Sequence, residues 1–145
     1  MLGYATAGPT GSTARKALII LGLAVGAALV AATSAIHLDV WAGGYRNIAT
    51  IGPLFLFQGI AGLAIALALL GYRRLITVVA AAGFMIATIG GLLISVYVGL
   101  FGFMDTLSAP FAGESLALES AGAVVLAIVG AVLAAGHHEK ATGRG

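Results

Sequence analysis

The sequence predicts an all-α membrane protein, an antiparallel four-helix transmembrane bundle with both termini cytoplasmic. Three observations predict it. Four apolar runs, residues 17–36, 53–72, 75–103 and 116–136, each reach the roughly 20 residues that a helix needs to cross a bilayer. Hydrophobic residues make up 61% of the chain and charged residues 8%, against about 25% charged in an ordinary soluble domain. The charges are also sorted by position. Arg15 and Lys16 precede the first run, Arg73 and Arg74 separate the second from the third, and Lys140 and Arg144 follow the fourth. Placing those three sites in the cytoplasm leaves Arg46 as the single outer basic residue, a positive-inside pattern that needs an even number of spans.

Each element follows in order. Residues 1–16 are rich in Gly, Thr, Ser and Ala and read as a disordered cytoplasmic tail. A single transmembrane domain, residues 17–136, comes next. Its first span, 17–36, is longer than the core of a signal peptide, so it is expected to remain as a helix. The second span, 53–72, is joined to the third by so short a turn that the two form a hairpin. The third run would reach about 45 Å as one helix, well beyond the hydrocarbon core of about 30 Å. The span is therefore placed at 75–99, and Gly99-Leu100-Phe101-Gly102-Phe103 is expected to break into an interfacial segment. The fourth span is 116–136, and 137–145 is a second cytoplasmic tail. The expected location is a bacterial cell (inner) membrane, crossed several times.

Composition removes several chemistries. There are no cysteines, so disulfides, thiolate metal sites and thiol redox chemistry are excluded. The basic residues are few and sit beside spans, which argues against nucleic acid as a partner. No lysine lies within a span. His37, Asp39, Asp105 and Glu114 are metal-binding residue types without metal-ligand spacing, so no metal is assigned. No catalytic residue and no cofactor is assigned either.

Small residues mark where helices approach in lipid. Gly22 and Gly26 form a GxxxG on helix one, and Gly62 lies on helix two. Helix three carries Gly83, Ala87, Gly91, Ser95 and Gly99, and helix four Ala123, Ala127, Ala131 and Ala135. Gly91 and Ser95 centre the longest stripe and are expected at a close helix contact. Extending each stripe outward in steps of four reaches His37, Gln58 and Glu119, with Ser115 one step before Glu119. A bundle burying these faces would gather a polar cluster at its outer end, with Asp39, Tyr45, Arg46, Asp105 and Glu114 above it. Each member also has a plainer reading. Glu119 and Glu114 could be hydrated acids near a helix N-terminus. His37 could be solvated, Gln58 a structural interhelical hydrogen bond, and Arg46 the ion-pair partner of Asp39 or Glu119. Eight aromatic residues, Trp41, Tyr45, Phe55, Phe57, Tyr97, Phe101, Phe103 and Phe111, belong to the same outer half. They fit an apolar chamber, a partner surface or an interfacial girdle.

The stretch His37-Leu-Asp-Val-Trp41, Gly44-Tyr-Arg46, Ile48, Thr50-Ile-Gly-Pro-Leu-Phe55 and Gln58 resembles a pattern in small four-span integral membrane proteins of actinobacteria. There it links helices one and two, and a carboxylate near the start of helix four accompanies it, as Glu119 does here. The resemblance covers most of residues 17–136. It implies fold and location and no particular activity.

Two function classes fit. One is a non-enzymatic membrane component: an accessory subunit of a larger complex or homo-oligomer, or a module binding a lipid or quinone at the outer polar-aromatic end. The other is a small transporter or proton-coupled carrier using Glu119 and His37. Uncharged middles in all four spans weigh against the second.

Overall fold

The computed structural model describes residues 10–141 and 143. It contains four long helices: α1 Thr10–Gly43, α2 Ile51–Gly71, α3 Leu75–Tyr97 and α4 Ala112–Ala141. A short 3-10 turn, Tyr45–Asn47, lies between α1 and α2. All four helices are long and apolar enough to cross a membrane, as in a multi-pass membrane protein. A helix is the natural form for such segments, because in hydrocarbon every backbone N–H and C=O must be satisfied within the chain.

Helices α2 and α3, with 21 and 23 residues, match the hydrocarbon thickness at about 32 and 35 Å. Helices α1 and α4 outrun their apolar runs, with 34 and 30 residues. This corrects the expected tails. Residues 10–16 and 137–141 are helical rather than disordered, while residues 1–9, 142, 144 and 145 of the expected tails lie outside the described ones. The reason is that hydropathy marks what lies in lipid, whereas a helix continues through water while good helix formers and tertiary partners last. Arg15 supplies such a partner: its guanidinium donates to the Val132 carbonyl at 2.6 Å and packs over Gly136.

Helix α3 stops at Tyr97, and the segment after it is broken. Gly99 takes φ +91°, and Phe101 and Gly102 take φ +52° and +78°. Leu100 and Phe103 exchange both backbone hydrogen bonds around that tight turn, at 2.7 and 2.9 Å. The chain then folds back so that the Asp105 amide donates to the Ser95 carbonyl at 3.1 Å.

The buried face of each helix follows alternating steps of three and four. It runs Leu23, Gly26, Val30, Thr33, His37 on α1, and Gly52, Phe55, Gly59, Gly62, Ala66, Leu69 on α2. On α3 it is Val78, Ala81, Met85, Thr88, Leu92, Ser95. On α4 it is Ala112, Ser115, Glu119, Gly122, Leu126, Val129, Leu133, Gly136. That spacing averages 3.5 residues, the repeat of helices packed knobs-into-holes in a bundle.

Two packing expectations are corrected by this periodicity. Steps of four advance about 400°, so a strict i+4 stripe drifts about 40° per step around the helix. On α4, Ala123 is half-buried against the core, but Ala127, Ala131 and Ala135 have turned to the outside. On α3 the stripe begins outside at Gly83 and turns inward only at Ser95. Gly91 is not at a close helix contact: a Cβ there would meet nothing within 4 Å.

Other glycines are tight. A Cβ on Gly22 would collide with Val129, and one on Gly26 would sit 2.7 Å from Leu126. A Cβ on Gly62 would collide with Ser34 and lie 2.8 Å from Phe84, and Gly122 is closed by Met85. Helix α1 thus packs on α4 and on α2 at backbone distance. Replacing Gly26 or Gly62 by Leu should lower stability by about 1–3 kcal/mol or prevent folding, the usual range for overpacking. Gly91→Leu should fold with a thermal midpoint close to that of the parent. Thermal unfolding of the three variants in one mild detergent checks the contrast, and equal loss in all three would contradict it.

Candidate functional site: an apolar chamber under two loops

The α1–α2 and α3–α4 connections meet at one end of the bundle, and beneath them lies a cavity of about 330 Å³. This is within the range of about 300–1,000 Å³ typical of small-molecule sites. Its walls are mostly apolar: Ile36, Val40, Ile51, Leu54, Phe55, Phe57, Phe84, Leu92, Leu100, Phe103 and Phe111. Ala87 and Gly91 are small there, and that leaves the space. Phe57 on α2 is 71% exposed, and Ala87 on α3 is exposed as well, yet both line the cavity. The chamber therefore reaches the bundle surface between α2 and α3. Lower down, Phe84 packs on α2 at Gly62 and closes that gap.

Glu119 is the centre of the polar wall. It is 1% exposed. Its Oε1 accepts hydrogen bonds from Ser115, one turn earlier on α4, at 2.7 Å and from Thr33 on α1 at 2.9 Å. Its Oε2 is buried and has no hydrogen-bond partner among the described residues. The Thr33 carbonyl takes the Nδ1–H of His37 at 2.8 Å, since a carbonyl can only accept. Thr33 thus touches both ionisable groups, its hydroxyl on Glu119 and its carbonyl on His37. With Nδ1 as donor, the neutral imidazole presents Nε2 as an acceptor.

Aromatic rings form the roof. The Tyr45 ring lies 4.9 Å from Phe55 and 5.5 Å from Phe103, and Phe55 lies 5.1 Å from His37. The Tyr45 hydroxyl reaches both Asp105 carboxylate oxygens at 3.4 Å, so it ties the first connection to the second across the chamber. The Asp105 carboxylate also accepts the Thr106 amide at 2.8 Å. Gly52 supports this arrangement from below, because a Cβ there would press on the Arg46 carbonyl at 2.7 Å and the Tyr45 carbonyl at 2.8 Å.

Of the eight residues expected in the outer cluster, five line the chamber: His37, Tyr45, Gln58, Asp105 and Glu119. The other three do not. Asp39, Arg46 and Glu114 are exposed and absent from its walls. Arg46 forms no ion pair with Asp39 or Glu119 among the described residues, because the turn carrying it presents its side chain to solvent and its carbonyl to Gly52. Glu114 lies in the first turn of α4, where a negative charge suits the helix dipole. Gln58 makes no hydrogen bond to another described residue, which corrects its reading as structural glue. No group of three or more metal-binding side chains converges among the described residues. Thr33 and Ser115 carry the Glu119 contacts, and i−4 spacing from His37 and from Glu119 was the signal for both.

Comparison with family models, curated proteins and solved structures finds no match for the chain. The chamber has to be read from its own chemistry.

Burial first, and then the Asp105 carboxylate as both neighbouring charge and hydrogen-bond acceptor, raise the Tyr45 phenol above its ordinary 10.0. A folded-state pKa above the unfolded one stabilises the fold fully below the unfolded value and is lost as pH rises through the folded value. Tyrosinate absorbance, compared between the parent and Tyr45→Phe, should show one phenol titrating above pH 10.0. Asp105→Asn should bring that midpoint down without abolishing the shift, since burial remains. A midpoint at the ordinary value would contradict the closed roof.

Proposed function

We propose that the protein is a non-enzymatic component of a bacterial inner membrane that holds a lipid-phase small molecule, a lipid or a quinone, in the chamber. The supporting observation is one buried carboxylate oxygen, Glu119 Oε2, with no hydrogen-bond partner among the described residues, on a residue that lines a mostly apolar cavity. Leaving an acceptor unpaired in an apolar setting costs roughly 1–3 kcal/mol, so such an atom marks a place for a ligand group. The lateral opening between α2 and α3 suits a ligand that arrives from the bilayer rather than from water.

The carrier reading, with Glu119 and His37 exchanging protons, has their common contact with Thr33 in its favour. It also needs a polar route to the opposite face. Below the chamber the core is Leu23, Ala27, Val30, Leu69, Val78, Ala81, Met85, Leu126 and Val129, which is closed and apolar. That supports binding over transport. Membership of the small four-span actinobacterial proteins, and a role as subunit of a homo-oligomer or larger complex, belong to the same proposal.

The orientation is antiparallel with both termini cytoplasmic. The contacts Arg15 with Val132, Gly22 with Val129, Gly26 with Leu126 and Thr33 with Glu119 support the first part. The distribution of Lys and Arg supports the second. In this cysteine-free chain, single cysteines at positions 43 and 142 should label from outside and inside respectively in intact cells. Outside labelling at position 142 would overturn the topology.

Mass spectrometry of extracts from protein purified in mild detergent tests the function. The parent should carry one lipid or quinone class enriched over the bulk membrane, and Gly91→Leu, which fills the chamber, should lose it. Equal extracts from both proteins would overturn the binding role.

A further inference from the structure

The chamber's hydrogen-bonding inventory is one-sided. Its hydroxyl protons are already used inside the protein. Thr88 donates to the Met85 carbonyl at 2.7 Å and Ser95 to the Leu92 carbonyl at 2.9 Å. Ser115 donates to Glu119, and Tyr45 donates to Asp105. His37 spends its Nδ1–H on Thr33. What remains open is Glu119 Oε2, an acceptor when the group is a carboxylate, and His37 Nε2, an acceptor when the ring is neutral. Gln58 is the one described lining side chain that still has donors to offer. A ligand that only accepts, such as a quinone carbonyl, is left with Gln58 alone, so within the proposed binding role the chamber favours a lipid that carries a donor over a quinone.

The charge is one-sided too. Glu119 and Asp105 line the chamber, and no lysine or arginine does. Arg46, the nearest basic residue in sequence to the roof, is exposed and outside the lining. The rings of Phe55 and Phe103 each stand within 5.5 Å of the Tyr45 ring, centroid to centroid. Aromatic faces attract an organic cation, most strongly where water is excluded.

From these features we infer that the chamber selects a lipophilic ammonium ion, an amine carrying at least one N–H and an apolar tail. The inference rests on the chamber being a binding site and specifies what it takes. The N–H is directed to Glu119 Oε2, which gives that oxygen the partner it lacks. The positive charge is balanced by the carboxylates and the ring faces. The tail lies along Leu92 and Phe84 or leaves past Phe57 between α2 and α3. A charged donor on a buried carboxylate also forms a stronger hydrogen bond than a neutral donor would.

A matched series separates charge from simple burial: octylammonium, octanol and octanoate, titrated calorimetrically into the parent, Glu119→Gln and Gly91→Leu in one detergent. Octylammonium should bind the parent about tenfold or more tightly than octanol, and octanoate should not bind, as expected for a hydrogen bond to a charged group. Glu119→Gln should reduce octylammonium to the level of octanol, and Gly91→Leu should abolish both. If octanol equals octylammonium in the parent and Glu119→Gln changes neither, the ammonium inference is overturned while the chamber stands as a site. If none of the three binds the parent, the chamber reading fails with it. Should Glu119→Gln not fold, the octylammonium-to-octanol ratio in the parent and the loss in Gly91→Leu decide the matter without it.

Discussion

The buried carboxyl group of Glu119 is the point at which α1, α4 and the chamber meet, and the upper bundle depends on how its two oxygens are bonded. One oxygen takes the hydroxyls of Thr33 and Ser115 and so fastens α1 to α4. The other is buried with no hydrogen-bond partner among the described residues. Most buried hydroxyls here, Ser34, Thr88 and Ser95, bond back to carbonyls of their own helix, which satisfies them locally and joins nothing. Thr33 differs because a carboxylate is within its reach, and its carbonyl remains available to His37.

The bundle has two halves with different packing. In the half away from the chamber, Gly22, Gly26 and Gly122 let side chains of neighbouring helices reach the backbone, and Leu126, Val129, Met85 and Val78 fill the interior. Without a hydrophobic drive between helices in lipid, this close fit is what holds them together. Towards the other end, small residues have the opposite effect. Ala87 and Gly91 face open space, and the larger side chains that could close it, Phe57 and Leu54 on α2, are turned partly outward. Gly62 against Phe84 is the hinge between the two regimes.

The roof is made of chain that is bent by its surroundings. Thr50 and Phe111, each just before a helix, take φ of +66° and +65°, a region that β-branched and bulky residues rarely occupy. Around Thr50 the Ile51 amide bonds to the Ala49 carbonyl at 2.8 Å, a tight three-residue turn. These bends bring Tyr45 over the chamber and Phe111 to its edge. They are held by the Tyr45–Asp105 contact, by Gly52 beneath the 3-10 turn, and by the Asp105 amide on the end of α3.

The sequence by itself determined the helices, because membrane-length apolar runs and a near absence of charge leave no other backbone solution in lipid. It also pointed to His37, Gln58 and Glu119, since polar side chains within or beside membrane-length apolar runs tend to face the bundle interior. It marked the break after α3, where two glycines interrupt the apolar run. What it left to the tertiary structure was register and depth. Counting by four carried the seam off the buried face by about 40° at each step, so Ala127 and Gly91 were placed in contacts that neither makes. Whether a glycine admits a neighbouring helix or leaves a void depends on what stands opposite, and that is a property of four helices together. The same holds for Arg46, Asp39 and Glu114: the 3-10 turn leaves Arg46 exposed, and Asp39 and Glu114 fall on the exposed faces of α1 and α4. Only the packed bundle decided that one oxygen of Glu119 would be paired and the other left free.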